Sequence, residues 1–194
     1  QRNQMRQELL DRMETEGLDA NTILAGSIEG SLDQRIVPHD PKDLRTFKQR
    51  YFYDSSLAAN LDSPVILYIC GEATCSGQFP AAVREHAKKL KAHLVTLEHR
   101  YYGKSQPFPT LTAENMKFLR TDYALADLIA FKRHLESTLQ LKGKWISTGG
   151  SYAGSLSSYL RLKYPHEISG ALASSGPVQA KSAFQEYDET VTQQ

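Results

Sequence analysis

At 194 residues, 40% hydrophobic and 23% charged, the chain has the length and apolar content for one globular domain with a sizeable core, which argues against disorder. Its 23 Lys and Arg against 22 Asp and Glu leave a net charge of +1, so neither nucleic acid nor an anionic membrane is favoured as a partner. No apolar run approaches the roughly 20 residues that span a bilayer. Neither an internal repeat nor an N-x-S/T acceptor is present. No signal-peptide pattern is visible, and a chain that begins with Gln1 rather than Met is silent about compartment.

Met5, Leu9, Leu10 and Met13 fall at helical spacing among charges and predict an amphipathic helix over residues 1–16, ended by Gly17. From there to about residue 40, Gly26, Gly30, Pro38 and Pro41 punctuate a polar stretch that reads as an extended leader on the domain surface. Residues 1–30 are therefore set apart from a domain over 31–194. His39, in this stretch, reads as a surface histidine. Between Leu44 and Tyr53, Phe47, Tyr51 and Tyr53 share one face, with Lys48 and Arg50 on the other, which predicts a half-buried strand.

VILYIC, after the turn-like Asn60 to Pro64, is a continuous β-rich run and predicts a central strand covered on both faces. It ends in Cys70-Gly71-Glu72. In α/β hydrolases the loop after such a strand supplies a backbone N–H to the oxyanion hole, which makes Gly71 and Glu72 donor candidates. Cys70 and Cys75 are the only cysteines, and their separation suits either a small disulfide loop or two buried thiols. This pair alone is too few ligands for a metal.

A helix from Pro80 to Ala92, a strand from His93 and the loop RYYGKSQPFP continue an alternation that implies a parallel sheet. Arg100, Gly103 and Ser105 read as braces under an active-site floor. Glu98 and His99 read the same way, since adjacent strand residues point to opposite faces and do not easily serve one substrate. Asp122 is expected to cap a long helix with Tyr123, Leu125, Leu128, Ile129, Leu135 and Leu139 on its apolar face. That helix leads into KWISTGGSYAG.

This stretch, residues 144–154, reads as a short strand that stops at Ser151 and resumes as a helix. Such a corner resembles a nucleophile elbow, in which a strained turn lifts the serine hydroxyl above a sheet and aims the next backbone N–H, here that of Tyr152, at a developing oxyanion. Gly149 and Ala153 let strand and helix approach, and Gly150 and Gly154 relax the surrounding backbone. Ala153 stands where the strict G-x-S-x-G pattern has glycine. Beyond the helix, ISGALASSGPV predicts another small-residue strand. His166 and Asp188 occur in the wrong order for the Ser, acid, His sequence of these hydrolases and read as structural.

TFKQRYF, CGEATCSG, LEHRYYGKSQPF, GGSYAGSLSSYLRLKYP and GALASSGPV, in that order, resemble the serine peptidase family that contains lysosomal Pro-Xaa carboxypeptidase, dipeptidyl peptidase II and thymus-specific serine protease. The likeness spans roughly residues 31–192, and the cysteine-bearing loop looks closer to plant and protist members. It implies the N-terminal part of an α/β-hydrolase fold, a mostly parallel sheet with flanking helices, with cap domain and last strands absent. It further implies a peptidase that cleaves after proline or a small residue near a peptide terminus, in lysosomes, vacuoles or outside the cell. Ser151 matches the family nucleophile. The family's acid and histidine lie downstream, so residues 1–194 alone are expected to be inactive and poorly stable. The expected partners are a peptide substrate and the rest of the catalytic domain, on the same gene product or a second chain, with a homodimer as a further assembly. No cofactor, metal, nucleic acid or membrane span is expected. An esterase of the same fold, or a protein reduced to an interaction role, are the alternatives.

Overall fold

The computed structural model describes residues 28–193. The helix expected over residues 1–16 and its end at Gly17 lie outside them. Six strands form one sheet in the order β1-β2-β4-β3-β5-β6: β1 Ile28–Arg35, β2 Thr46–Asp54, β3 Val65–Ile69, β4 His93–Leu97, β5 Trp145–Gly150 and β6 Gly170–Ser174. The first two are antiparallel to each other, and β2 is antiparallel to β4. From β4 through β3 and β5 to β6 every pairing is parallel. Each of the three connections between these parallel strands needs a crossover. Three helices supply them: α1 (Ala81–Leu90), α3 (Thr121–Leu139) and α4 (Tyr152–Lys163). A short α2 (Ala113–Met116) precedes α3, and α5 (Gln185–Thr192) follows β6.

Alternation along the central strands sorts the core into two layers. Val65, Leu67 and Ile69 of β3 face one side with Val95, Leu97, Tyr51 and Tyr53, and pack on Leu128, Phe131 and Leu135 of α3 and Leu156 and Leu160 of α4. Ile66 and Leu94 face the other side and pack on Phe79, Val83 and Ala87 in and before α1. A strand covered on both faces has no solvent side to carry polar residues, which is why β3 reads VILYI.

Three expectations change. Residues 28–35, expected in the extended leader, form the edge strand β1, which runs through the boundary placed at residue 30 and pairs with β2 from Ile28 opposite Tyr53 to Arg35 opposite Thr46. Its inward positions include Gly30 and Gln34, so the apolar alternation is broken. A Cβ at Gly30 would stand 2.4 Å from the Tyr51 ring, and Gln34 is buried with its amide donating to the Asp127 carbonyl at 2.9 Å. The second change concerns β2, which is half-buried only in its first residues. Arg50, Phe52 and Asp54 on its polar face are covered as well, by the segment around Cys75 and Gly77 and by Arg84 of α1. Third, Asp122 does not cap α3. The N-cap is Arg120 in an extended conformation, and Asp122 in the first turn accepts its guanidinium at 2.9 and 3.0 Å. The carboxylate there still faces the positive end of the helix.

Candidate active site

Ser151 sits between the last residue of β5 and the first of α4 with φ 55° and ψ −129°. A positive φ costs a non-glycine residue energy, and the surrounding backbone holds it there. The Ser151 N–H donates to the Ser174 carbonyl at 3.0 Å, and its carbonyl accepts the first helical bond from Ser155 at 3.0 Å. The serine is exposed, at the head of a helix whose first-turn amides precede that bond. Among these is the N–H of Tyr152.

The small residues around it do different work. A Cβ at Gly149 would lie 2.4 Å from the Ala153 carbonyl oxygen, and one at Gly154 would lie 2.8 Å from the Ser174 carbonyl oxygen. Both obstacles are backbone. At Gly150 an added Cβ would meet only the Ser174 oxygen, at 4.0 Å. Accordingly Gly149→Ala is expected to destabilise the domain by about 1–3 kcal/mol through overpacking, and Gly150→Ala to stay within about 0.5 kcal/mol. Urea unfolding of the two variants checks the contrast. Ala153 is buried, and a Cβ at Gly71 would rest 3.7 Å from its methyl, so the loop after β3 runs beside the head of α4.

That loop is closed by a disulfide between Cys70 and Cys75, which decides between the two readings of the cysteines. Gly71 and Glu72 lie inside the closed ring, with Glu72 exposed. Glu98, just past β4 rather than within it, anchors the ring. Its buried carboxylate accepts the Cys75 N–H at 3.0 Å, the Lys104 N–H at 2.9 Å, the Ser105 hydroxyl at 2.8 Å and the Arg50 guanidinium. Arg50 also donates to the Cys75 carbonyl at 2.8 Å. Burial works to raise the Glu98 carboxyl, but the bonds from Arg50, Ser105 and Cys75 outweigh it and hold the group below its usual range. Gly103 leaves room for this: a Cβ there would strike the Glu98 carboxylate at 1.9 Å.

His99 takes the other direction. One ring nitrogen, Nδ1, lies 2.7 Å from the Arg100 carbonyl and the other, Nε2, lies 3.1 Å from the Tyr152 hydroxyl. The Arg100 carbonyl only accepts, so Nδ1 carries the proton and Nε2 accepts from Tyr152. Burial pushes His99 down from its ordinary value and pushes the Tyr152 hydroxyl up, which keeps acceptor and donor in these roles. Below them Arg100 is fully buried, with its guanidinium paired to both Asp127 oxygens at 2.7 Å.

The other candidates fall elsewhere. His166 is exposed just past the C-terminal end of α4, roughly 18 Å along the helix from Ser151 at 1.5 Å per residue. Asp188 is exposed in α5. His39 is exposed and packs edge-on against Tyr123, with ring centroids 5.7 Å apart. Among the described residues no group of three or more His, Cys, Asp or Glu is placed to hold a metal ion, and no helix is long and apolar enough to cross a membrane. Sequence reasoning missed the bond from Tyr152 to His99 and the Ser174 carbonyl that takes the Ser151 N–H. Both join segments distant in sequence, and no local spacing announces them.

A strained serine between a parallel strand and a helix, beside a backbone loop from the neighbouring strand, is the arrangement of a hydrolase nucleophile. The family model described as serine carboxypeptidase S28 matches residues 34–194. The chain belongs to this family of serine peptidases. Within the S28 family it is 40% identical over 168 residues to the protein named "Probable serine protease EDA2" from Arabidopsis thaliana, covering 82% of this chain and 34% of that one. To mouse lysosomal Pro-X carboxypeptidase it is 39% identical over 155 residues, covering 75% of this chain and 31% of that one. The chain thus spans about a third of the length of the curated relatives it matches. A post-proline cleaving enzyme from Rickettsia typhi matches with a TM-score of 0.53 at 15% identity, over 78% of this chain and 21% of that one. At that identity the likeness shows the fold, an α/β hydrolase, of which this S28 chain forms part.

Proposed function

We propose that the chain contributes the nucleophile and the oxyanion hole of a prolyl-specific exopeptidase, with Ser151 as nucleophile and the N–H groups of Tyr152 and of Gly71 or Glu72 as oxyanion donors. The observation that carries the reading is the positive φ of Ser151 at the β5–α4 corner, beside the disulfide-closed loop after β3. In the reaction a base takes the Ser151 hydroxyl proton as Oγ attacks the scissile carbonyl. The tetrahedral oxyanion is held by the two N–H groups, and the amine leaves with the proton. Water then hydrolyses the acyl-enzyme. Each donor contributes about 3 kcal/mol to the transition state.

The base and acid of a Ser-Asp-His triad come, in this reading, from outside the described residues. Both nitrogens of His99 are engaged, and His166 is at the wrong end of α4. Preference for proline is carried over from the Pro-X carboxypeptidase named above. A lysosomal or vacuolar setting is carried over from the same protein and agrees with a disulfide. The test uses the full-length gene product with three reporters: a blocked peptide ending in Pro-Xaa, an Xaa-Pro dipeptidyl amide and a simple p-nitrophenyl ester. Cleavage of one of the proline peptides, well above the same peptide with proline replaced, is the expected result. Ester hydrolysis with no peptide hydrolysis would contradict the reading.

A further inference from the structure

In the sheet, β4 and β5 flank β3. His99 comes two residues after the end of β4, and Tyr152 opens the helix that follows β5. Their hydrogen bond therefore joins the two flanking strands across the end of β3, where the Cys70–Cys75 loop departs. The contact is more than one bond. The rings of His99 and Tyr152 lie 5.6 Å apart by centroid, and Tyr102 closes on His99 edge-on at 5.4 Å. On its far side His99 is fixed by the Arg100 carbonyl, and Arg100 is itself immobilised by the buried Asp127 carboxylate.

We propose that His99 is a positioning residue which, through the Tyr152 hydroxyl, fixes the direction of the Tyr152 backbone N–H toward the oxyanion. The need for such a device follows from where Tyr152 sits. The peptide unit that carries the Tyr152 N–H also carries the Ser151 carbonyl, which the Ser155 N–H holds at 3.0 Å, so a tethered Tyr152 side chain fixes the other end of that unit at Cα. Tyr152 is the residue immediately after the strained Ser151, with no glycine between them to absorb error. The histidine supplies an acceptor at the far end of a rigid ring. A tyrosine tethered at its hydroxyl and held at its Cα by the helix has little rotational freedom left. The proposal rests on the reading of Ser151 as nucleophile.

A fluorophosphonate tests it without knowledge of the substrate. Its phosphoryl oxygen occupies the oxyanion position as the serine is phosphonylated, so the maximal labelling rate reads the oxyanion hole and the half-saturating concentration reads binding. In the full-length gene product, His99→Ala and Tyr152→Phe are each expected to lower the maximal rate about tenfold, the loss of one partly buried hydrogen bond, with half-saturation unchanged. The double variant is expected to show the same tenfold loss, because both changes cut one tether. His99→Gln places an amide oxygen near the position of Nε2 and is expected to restore most of the rate. Tyr152→Phe removes a single oxygen, so it reads the tether even where His99→Ala perturbs folding. An unsubstituted rate in Tyr152→Phe, or a double variant that loses about a hundredfold, would overturn the proposal. No label on Ser151 in the unsubstituted protein would instead remove the nucleophile assignment, and the tether's role with it.

Discussion

Ser151→Ala is expected to lower turnover of the full-length gene product by about a millionfold, the loss seen when a serine nucleophile is removed from a working site. In the proposed reaction the hydroxyl oxygen forms the acyl bond, and the neighbouring Tyr152 hydroxyl is engaged with His99 at 3.1 Å. Stability is expected to change by no more than about 0.5 kcal/mol. The side chain is exposed, and the turn is held by backbone bonds that alanine keeps: the Ser151 N–H to the Ser174 carbonyl and the Ser155 N–H to the Ser151 carbonyl. Steady-state kinetics beside thermal unfolding therefore separates chemistry from folding. A variant that folds and still turns over at more than a small fraction of the original rate would show that another group attacks the substrate.

The largest stability effect is expected at Arg100, where even lysine should cost about 3–5 kcal/mol, the range for breaking a buried ion pair. The guanidinium is fully buried and meets five acceptors: both Asp127 oxygens and the carbonyls of Arg35, Ile36 and Phe118. It also lies between the rings of Phe47 and Tyr123, 5.5 and 5.2 Å from their centroids. An ammonium has three donors and no planar fork, so it leaves carbonyls unmet and the carboxylate singly bonded. Burial already pushes the Asp127 carboxyl up to about 6 against the pull of Arg100, so a weaker partner would leave a costly charge in the core. The midpoint of thermal unfolding of the full-length gene product should fall by several degrees. A shift of only a degree or two would mean that water or a rearranged lysine satisfies these groups. The same variant should slow Ser151 phosphonylation, since the Arg100 carbonyl fixes His99.

Local chemistry made some of this legible in the sequence. GGSYAG announces the elbow because the close approach of β5 and α4 is a short-range steric demand, met by Gly149 and Gly154 within five residues of each other. VILYI announces a strand buried on both faces for an equally local reason. What escaped depends on partners far along the chain. β1 is hidden because its inward Gly30 and Gln34 answer to the Tyr51 ring and to the Asp127 carbonyl, the latter 93 residues away from Gln34. Arg50 reads as part of a solvent face until the Cys75 segment covers it. Asp122 has the right residue type for a cap but stands two residues past the N-cap, Arg120. Cys70 and Cys75 left two readings open, because a short spacing permits a bridge without requiring one, and the fold closes it. Glu98 and His99 read as braces on the premise of adjacent strand residues, but both lie just past the end of β4. Which loop each one braces was not legible, since that depends on Arg50, Ser105 and Tyr152 from three other segments.

Whether Ser151 is the nucleophile is decided most directly by which serine reacts with a fluorophosphonate. The full-length gene product is treated with a fluorophosphonate at a concentration that abolishes its peptidase activity, digested and mapped by mass spectrometry. A single stoichiometric adduct on the peptide containing Ser151, absent in Ser151→Ala, is the predicted result. An adduct on a different serine, with Ser151 unmodified and activity lost, would contradict the account.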